Sequence, residues 1–226
     1  MTGGKKLKKK KVQKHNTKFE KNLSISSRRY LERQARDPYS TQAQKEGYRS
    51  RAVYKLQEIN DKYNFLENSR AVVDLGAAPG SWSQMSRRLM GPEGTVIALD
   101  RLEMDPIPGV EILQGDFNEE ECLDALLDVT PEGVDVVLSD MAPDTTGAAG
   151  NLDHLRIMNL AELAADFAER TLRPGGVFVC KLFMGGEEKP FSEQLRQSFN
   201  KVGFFKPSAS RADSKEIFIV AQGFKG

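Results

Sequence analysis

From residue 71 onward, short apolar runs alternate with amphipathic stretches. The apolar runs predict strands near residues 71–75, 95–99, 110–113, 134–139, 176–182 and 216–221. The amphipathic stretches predict helices near residues 81–90, 119–128, 152–172 and 190–200. Gly91, Pro92 and the run 173–176 (RPGG) are typical helix stops. This alternation predicts an α/β fold, in which a mostly parallel central sheet carries helices on both faces.

Two further segments extend this picture. Apolar residues recur at helical spacing from Ser50 to Tyr63, with Arg49, Arg51 and Lys55 among the cations around them, so we predict an amphipathic helix with a basic side. At the other end of the chain, residues 203–205 and 216–220 are predicted to form a hairpin. That hairpin would add an antiparallel strand at the sheet edge.

The chain is long enough for one folded domain, and its positive charge is concentrated near the N-terminus. Its 226 residues suit one α/β domain with a sizeable core. The net charge of +1 conceals nine Lys within residues 1–21, against Glu20 alone. A segment this polar cannot offset its ordering entropy by burial, so we predict a disordered basic tail over 1–22 and a folded domain over 23–226. The tail is either a solubilising extension or a contact for a polyphosphate such as RNA.

The chain contains neither an apolar stretch of the roughly 20 residues that a membrane helix needs nor a secretory or transit signal. We therefore expect a cytoplasmic protein without a membrane partner. Cys122 and Cys180 lie in a predicted helix and a predicted strand, with no CxxC motif. They are interpreted as small apolar residues in a reducing compartment.

The segment 72–80 (VVDLGAAPG) combines a strand, a glycine turn and the start of a helix. Open α/β sheets bind ligands at such a position. The spacing is GxxxG, whereas a dinucleotide fingerprint reads GxGxxG, and Pro79 removes a backbone donor while Asp74 adds negative charge. These features favour a cationic ligand such as S-adenosylmethionine (SAM), approached closely by the backbone at Gly76 and Gly80.

Further acids follow the next strands. Asp100 stands where an acid binds the adenosine ribose in doubly wound folds, and Asp116 stands where a carboxylate can accept a hydrogen bond from the adenine amino group. Each acid alone is equally well a turn residue, but their succession after a glycine turn favours a cofactor site. Trp82 is either a neighbour of the cofactor or a core residue between helix and sheet.

A second group of polar residues lies near the same edge. Asp140 follows the apolar strand 134–139, and Lys181 lies within the apolar run 176–183. A lysine in such a run must extend its amine to solvent, pair with Asp140 or Glu216, or take part in chemistry.

At these residues the chain resembles the FtsJ/RrmJ (RlmE) family of ribosomal RNA large subunit methyltransferases. The resemblance rests on 50–56 (SRAVYKL), 74–80 (DLGAAPG), 139–143 (SDMAP), 180–183 (CKLF) and 214–216 (SKE). It implies a Rossmann-like SAM-dependent methyltransferase fold and a catalytic tetrad of Lys55, Asp140, Lys181 and Glu216. It also implies SAM contacts at Gly80, Trp82, Asp100, Asp116 and Asp140.

The resemblance further implies transfer of a methyl group to the ribose 2′-hydroxyl of a uridine in the A loop of 23S rRNA. We expect the substrate to be the assembled 50S subunit and the enzyme to be a monomer that uses no metal. Lys181 would accept the proton or, if Asp140 and Glu216 keep it charged, orient the hydroxyl. Arg49, Arg51 and other surface cations would hold phosphates of the RNA. The alternatives are a tRNA or other RNA as substrate, a non-catalytic ribosome-assembly factor, and a nicotinamide-dependent oxidoreductase.

Overall fold

The computed structural model describes residues 37–130, 132–143, 150–211 and 214–226. Residues 39–226 form one compact unit. The tail predicted over 1–22 and its boundary with the folded domain lie outside the described residues. Both remain predictions.

The secondary structure follows the predicted alternation of strands and helices. In chain order the elements are α1 (Pro38–Lys45), α2 (Val53–Tyr63), β1 (Ala71–Leu75), α3 (Ser81–Leu89), β2 (Thr95–Asp100), β3 (Val110–Gln114), α4 (Glu120–Asp128), β4 (Val134–Ser139), α5 (Gly150–Thr171), β5 (Leu172–Phe183), α6 (Glu188–Ser198), β6 (Phe199–Phe205) and β7 (Glu216–Phe224).

These strands form one seven-stranded sheet in the order β3-β2-β1-β4-β5-β7-β6. The first five strands of that order pair in parallel. β7 pairs antiparallel with β5, and β6 pairs antiparallel with β7. The predicted class is therefore confirmed, including the antiparallel hairpin at one edge. The strand order reverses at β1 and β4, which places their carboxyl ends at a topological switch point.

Helices cover both faces of the sheet. Side chains alternate along β1, so Val72 packs with α2 and α3 while Val73 packs with α4, α5 and α6. Leu56 of α2 is fully buried on the first face and Phe167 of α5 on the second. Two apolar layers thus hold the sheet, and the polar residues of the strand ends are left at its rim.

Two predicted boundaries were wrong. The helix stop predicted at 173–176 is confirmed, since α5 ends at Thr171, but the strand predicted from residue 176 already begins at Leu172. The pairing of β5 with β4 shifts register between Val134 and Val136. The irregularity accommodates the extra residues without ending the strand. The last predicted helix ends at Ser198 because Phe199 is 1% exposed and stacks on Phe178, as the first residue of β6.

Within the described ranges, no helix is long and apolar enough to cross a membrane.

Candidate active site

A cavity of about 1070 Å³ opens at the carboxyl ends of β1 to β4. We call it the acidic cavity, because Asp100, Asp116 and Asp140 all line it. Its wall comes from the glycine turn after β1, the loops after β2, β3 and β4, and the first described side chains of α5. The lining residues are Gly76, Ala78, Leu99, Asp100, Arg101, Leu102, Gly115, Asp116, Phe117, Asn118, Asp140, Met141, Ala142, Pro143, Leu155, Arg156, Asn159 and Leu160.

The glycine turn needs its glycines. Gly76 has φ +74°, and a Cβ there would lie 2.8 Å from Cα of Met141. Gly80 has φ +105°, and a Cβ there would lie 2.6 Å from Cδ1 of Ile107. Both positions combine left-handed backbone with close approach, which only glycine tolerates. The turn therefore packs closely against the loops that contain Met141 and Ile107. Gly76 borders the cavity, and Gly80 is the N-cap of α3.

Backbone groups orient the two acids that follow β2 and β3. The Asp100 carboxylate accepts hydrogen bonds from the N–H groups of Ala78 and Leu102, each at 2.8 Å. Asp116 Oδ1 accepts from the backbone N–H of Asn118 at 3.0 Å. The bond from the Asn118 backbone, together with one from the Asn118 side-chain amide and the charge of Arg101, outweighs burial and holds the pKa of Asp116 below its usual range. Backbone groups thus orient both carboxylates, and both residues line the cavity.

Asp74 lies beneath the turn. It is fully buried, and its Oδ2 accepts a hydrogen bond from Ser83 Oγ, while Oδ1 has no partner among the described residues. Burial raises the pKa of Asp74 to about 7, helped by the negative charges of Asp140 and Asp100 and opposed by the Ser83 bond. Asp74, predicted as a cofactor contact, therefore lies beneath the turn and does not line the cavity.

The predicted cofactor neighbour Trp82 is packed into the core. Its Nε1 donates a hydrogen bond of 2.8 Å to the Ala52 oxygen, and its ring lies 5.7 Å from that of Phe218. The indole does not line the acidic cavity. Of the two roles predicted for Trp82, the indole therefore has that of a core residue between helix and sheet.

Lys181 and Asp140 meet at the rim of the sheet. The Lys181 ammonium lies 2.9 Å from Asp140 Oδ1 and donates a hydrogen bond of 2.6 Å to the Asp140 backbone oxygen. Its side chain is 7% exposed, so pairing with Asp140, and not extension to solvent, satisfies the charge. Burial raises the pKa of Asp140, but the charges of Lys181 and Lys55 outweigh it and hold the pKa below its usual range.

Lys55 and Glu216 form the neighbouring pair. Lys55 Nζ donates to Glu216 Oε2 at 2.7 Å, although 161 residues separate them in the chain. Glu216 opens β7 and is paired with Phe183 of β5, two residues beyond Lys181. We call these four side chains the lysine cluster: Lys55, Asp140, Lys181 and Glu216. Asp140 belongs both to this cluster and to the wall of the acidic cavity.

The arginines predicted to hold phosphates are engaged within the molecule. The Arg49 guanidinium donates to the backbone oxygens of Pro79, Asp105 and Pro106 at 2.8–3.0 Å. Arg51 donates to the Ala209 oxygen and lies over the ring of Tyr39. Both side chains hold loops around the site in place. The sequence pattern of a basic residue beside an amphipathic helix does not reveal such a role. The sequence reasoning also missed Ser210 and Glu58, which contact the lysine cluster and its supporting loop.

In the part of the chain that the structure describes, no group of three or more His, Cys, Asp or Glu side chains is placed to hold a metal ion.

Comparison with known proteins agrees with this geometry. Residues 48–224 match the family of FtsJ-like methyltransferases. A Rhodopseudomonas palustris (strain BisB5) protein named ribosomal RNA large subunit methyltransferase E is 50% identical over 207 residues, covering 90% of this chain and 88% of that protein. Its Brucella canis namesake is 48% identical, covering 90% and 86%. A Plasmodium falciparum structure described as a candidate ribosomal RNA methyltransferase has a TM-score of 0.70 at 30% identity, covering 79% of this chain and 100% of that one.

Proposed function

The chain belongs to the FtsJ-like methyltransferase family, and we propose that it transfers a methyl group from SAM to the ribose 2′-hydroxyl of a uridine in 23S rRNA. The single observation that carries the proposal is the position of Asp140. Its carboxylate lines a cavity suited to SAM and also contacts Lys181, the residue proposed to meet the hydroxyl. A cofactor and an acceptor bound on the two sides of Asp140 would be neighbours.

The acidic cavity fits SAM by charge and shape. A cationic amine and sulfonium favour a wall of carboxylates, and Asp100, Asp116 and Asp140 supply it. We assign Asp100 to the ribose and Asp116 to the adenine amino group, with Gly76, Gly80 and the α3 backbone at Trp82 beside the methionine part. SAM supplies an electrophilic methyl group, and no metal is required for its transfer.

The lysine cluster would handle the acceptor. Lys181 is placed to contact the 2′-oxygen, and Asp140 orients its side chain through their ion pair. As an ammonium, Lys181 would orient the hydroxyl, and the hydroxyl proton would pass to water. As a neutral amine that has first given up its own proton, Lys181 would accept the hydroxyl proton itself. A cation in the cavity would compete for the Asp140 carboxylate and so free Lys181 to turn toward the ribose. Lys55 and Glu216 would hold the ribose and the neighbouring backbone in line with the methyl group.

The choice of substrate rests on the relatives. Those from R. palustris and B. canis are named for ribosomal RNA of the large subunit, and their identity to this chain extends over nine tenths of it. We propose that this protein acts as a monomer in the cytoplasm, on the A loop of 23S rRNA in the assembled 50S subunit.

Methylation with labelled SAM tests the assignment. Isolated 50S subunits, free 23S rRNA and tRNA are offered in parallel, and the modified nucleotide is mapped by its resistance to alkaline cleavage. We expect label on one uridine of the A loop, with 50S as the best substrate. Label in tRNA alone would show that tRNA is the substrate instead of 23S rRNA. Binding of 50S without any methyl transfer would favour a non-catalytic assembly factor.

Calorimetry in EDTA tests the cofactor separately. SAM is expected to bind with unchanged affinity when divalent metals are chelated. Loss of binding on chelation would contradict the metal-free site, and tighter binding of NAD than of SAM would favour an oxidoreductase.

A further inference from the structure

The connection between β6 and β7 is held by a residue of α2. The Glu58 carboxylate accepts three hydrogen bonds from this connection: from Ser208 N at 2.6 Å, Ser208 Oγ at 2.8 Å and Ala209 N at 2.9 Å. An ionised carboxylate that receives several N–H and O–H donors makes stronger hydrogen bonds than a neutral acceptor. Glu58 therefore fixes the 208–209 peptide against α2.

The same peptide is gripped from its other side. Arg51, also at the start of the α2 region, donates to the Ala209 backbone oxygen. Ala209 itself is fully buried in the core layer between α2, α3 and the sheet. Ser210 follows directly, and its N–H donates to the Pro207 oxygen at 3.1 Å, which closes a turn. Ser210 is consequently buried and held in one place.

Ser210 connects this clamp to the lysine cluster. Its Oγ donates a hydrogen bond of 2.8 Å to Glu216 Oε1, while Glu216 Oε2 accepts from Lys55 Nζ at 2.7 Å. Both carboxylate oxygens thus have a partner. Lys55 and Glu58 lie three residues apart on α2, on neighbouring positions of one helical face. These contacts form a closed series that begins and ends on α2: it runs from Glu58 through residues 208–210 to Glu216 and back to Lys55.

We propose that Ser210 is a positioning residue for the Lys55–Glu216 pair and that Glu58 holds Ser210 in place. The inference rests on the proposed function for its effect on methyl transfer. Without the Ser210 hydroxyl, the Glu216 carboxylate is free to rotate. The Lys55 ammonium then no longer has a carboxylate held at a fixed position beside it. The Lys55 side chain, 15% exposed, then samples orientations directed to solvent.

Single-turnover methylation measures the catalytic effect. Ser210→Ala is expected to slow transfer about tenfold, the loss typical of a hydrogen bond to a charged group, and to leave SAM affinity unchanged. Ser210→Thr, which keeps the hydroxyl, should recover most of the rate. Ser192→Ala is the matched control, since Ser192 is 1% exposed and its hydroxyl has no partner among the described residues. Its rate should equal that of the wild type.

Glu58→Gln tests the clamp. The glutamine amide keeps the size of the side chain but presents an NH₂ group to the donors of residues 208–209. A smaller loss of rate is expected than for Ser210→Ala. If both residues act through Glu216, the double variant should be slower than wild type by less than the product of the two single effects.

A second measurement follows the Lys55 amine itself. Reductive dimethylation with formaldehyde and cyanoborohydride, read by peptide mass spectrometry, reports how accessible each lysine amine is. Labelling of Lys55 should rise several-fold in Ser210→Ala and Glu58→Gln, and stay at the wild-type rate in Ser192→Ala. Lys62, exposed on the same helix, is the internal reference and should be unchanged in all variants.

The two readouts separate the two proposals. Equal Lys55 labelling in Ser210→Ala and wild type would overturn the positioning role, as would a Ser210→Ala rate equal to that of Ser192→Ala. If wild-type protein transfers no methyl group to any RNA while Lys55 labelling rises as described, the proposed function fails and the positioning of the pair stands.

Discussion

The acidic cavity and the lysine cluster share one edge of the sheet but are built in different ways. The acids of the cavity follow consecutive strands, and the backbone N–H groups of nearby residues orient Asp100 and Asp116. The lysine cluster is held by side chains, and its members come from α2, β5, β7 and the residue after β4. One region is local in the chain and the other is long-range.

This difference has a consequence for charge. Asp74, Asp100 and Asp140 lie close enough for the negative charges of the other two to raise the pKa of Asp74. In the lysine cluster each carboxylate has an ammonium as partner. In the cavity, Arg101 lies 3.8 Å from Asp116 Oδ2, a longer contact than the 2.7–2.9 Å ion pairs of the cluster. The carboxylates of the cavity are thus less closely paired than those of the cluster.

The largest expected effect comes from removing the Lys181 amine, which belongs to the lysine cluster and not to the acidic cavity. Lys181→Ala should slow methyl transfer by about 10²–10⁴-fold, the range of a lost acid–base group, and leave SAM affinity within a few-fold. Asp140→Ala should lose both, because Asp140 belongs to both regions. Single-turnover rates and calorimetry on each variant decide this, with the exposed Lys189→Ala as control. Near-normal transfer by Lys181→Ala would contradict the role of Lys181.

The next effect concerns the buried carboxyl group of Asp74 beneath the glycine turn. The pKa of Asp74 is about 7 in the folded protein and about 4 in an unfolded chain, so the folded state binds the proton more tightly. Its contribution to stability is complete below pH 4 and is lost as pH rises to 7, on the order of 4 kcal/mol. The free energy of unfolding of the wild type should therefore fall as pH rises from 4 to 8, and Asp74→Asn should lack this pH dependence.

Asp135→Asn is a control of opposite sign. Bonds from the Arg70 and Ala71 N–H groups, together with Arg173, outweigh burial and hold the pKa of Asp135 below its usual range. Its contribution is present at neutral pH and lost as pH falls below 4. If the slope between pH 4 and 7 persists in Asp74→Asn, another group carries it.

A smaller effect distinguishes the turn from the cluster. In Gly76→Ala the new Cβ meets Met141 in left-handed backbone, so we expect SAM affinity to fall at least about tenfold, with a smaller effect on transfer at saturating SAM. Gly91→Ala is the control, since a Cβ there meets nothing within 4 Å. Equal SAM affinity in the two variants would show that the turn does not set cofactor binding.

The smallest effect lies outside both regions. Deletion of residues 1–22, which the structure does not describe, should leave the transfer rate at saturating RNA intact but weaken RNA binding and flatten its salt dependence. Each phosphate that the lysines neutralise adds about 0.7–0.9 to the slope of log affinity against log salt. A tail of equal length with the nine Lys replaced by Gln separates charge from length. Parallel salt curves would show that the lysines do not contact RNA.

Much of the cavity was predictable because its signals are local. The apolar runs, the glycines at 76 and 80 and the acids after successive strands depend on backbone conformation within a few residues. The same reasoning found the helix stop at 173–176 but began β5 at residue 176, because the pairing of Leu172 with Val134 across an irregularity is not visible in the local pattern. It also assigned Arg49 and Arg51 to phosphates, because their carbonyl partners lie far away in the chain.

The sequence by itself determined the fold class, the glycine turn and, through the family resemblance, the identities of the four cluster residues. Only the tertiary structure decided which lysine pairs with which acid, that Trp82 faces the core, and that Glu58 and Ser210 support Glu216. The physical reason is that hydrophobic periodicity specifies which face of an element is buried. Contacts between side chains as much as 161 residues apart depend instead on strand register and helix packing, which no local pattern contains.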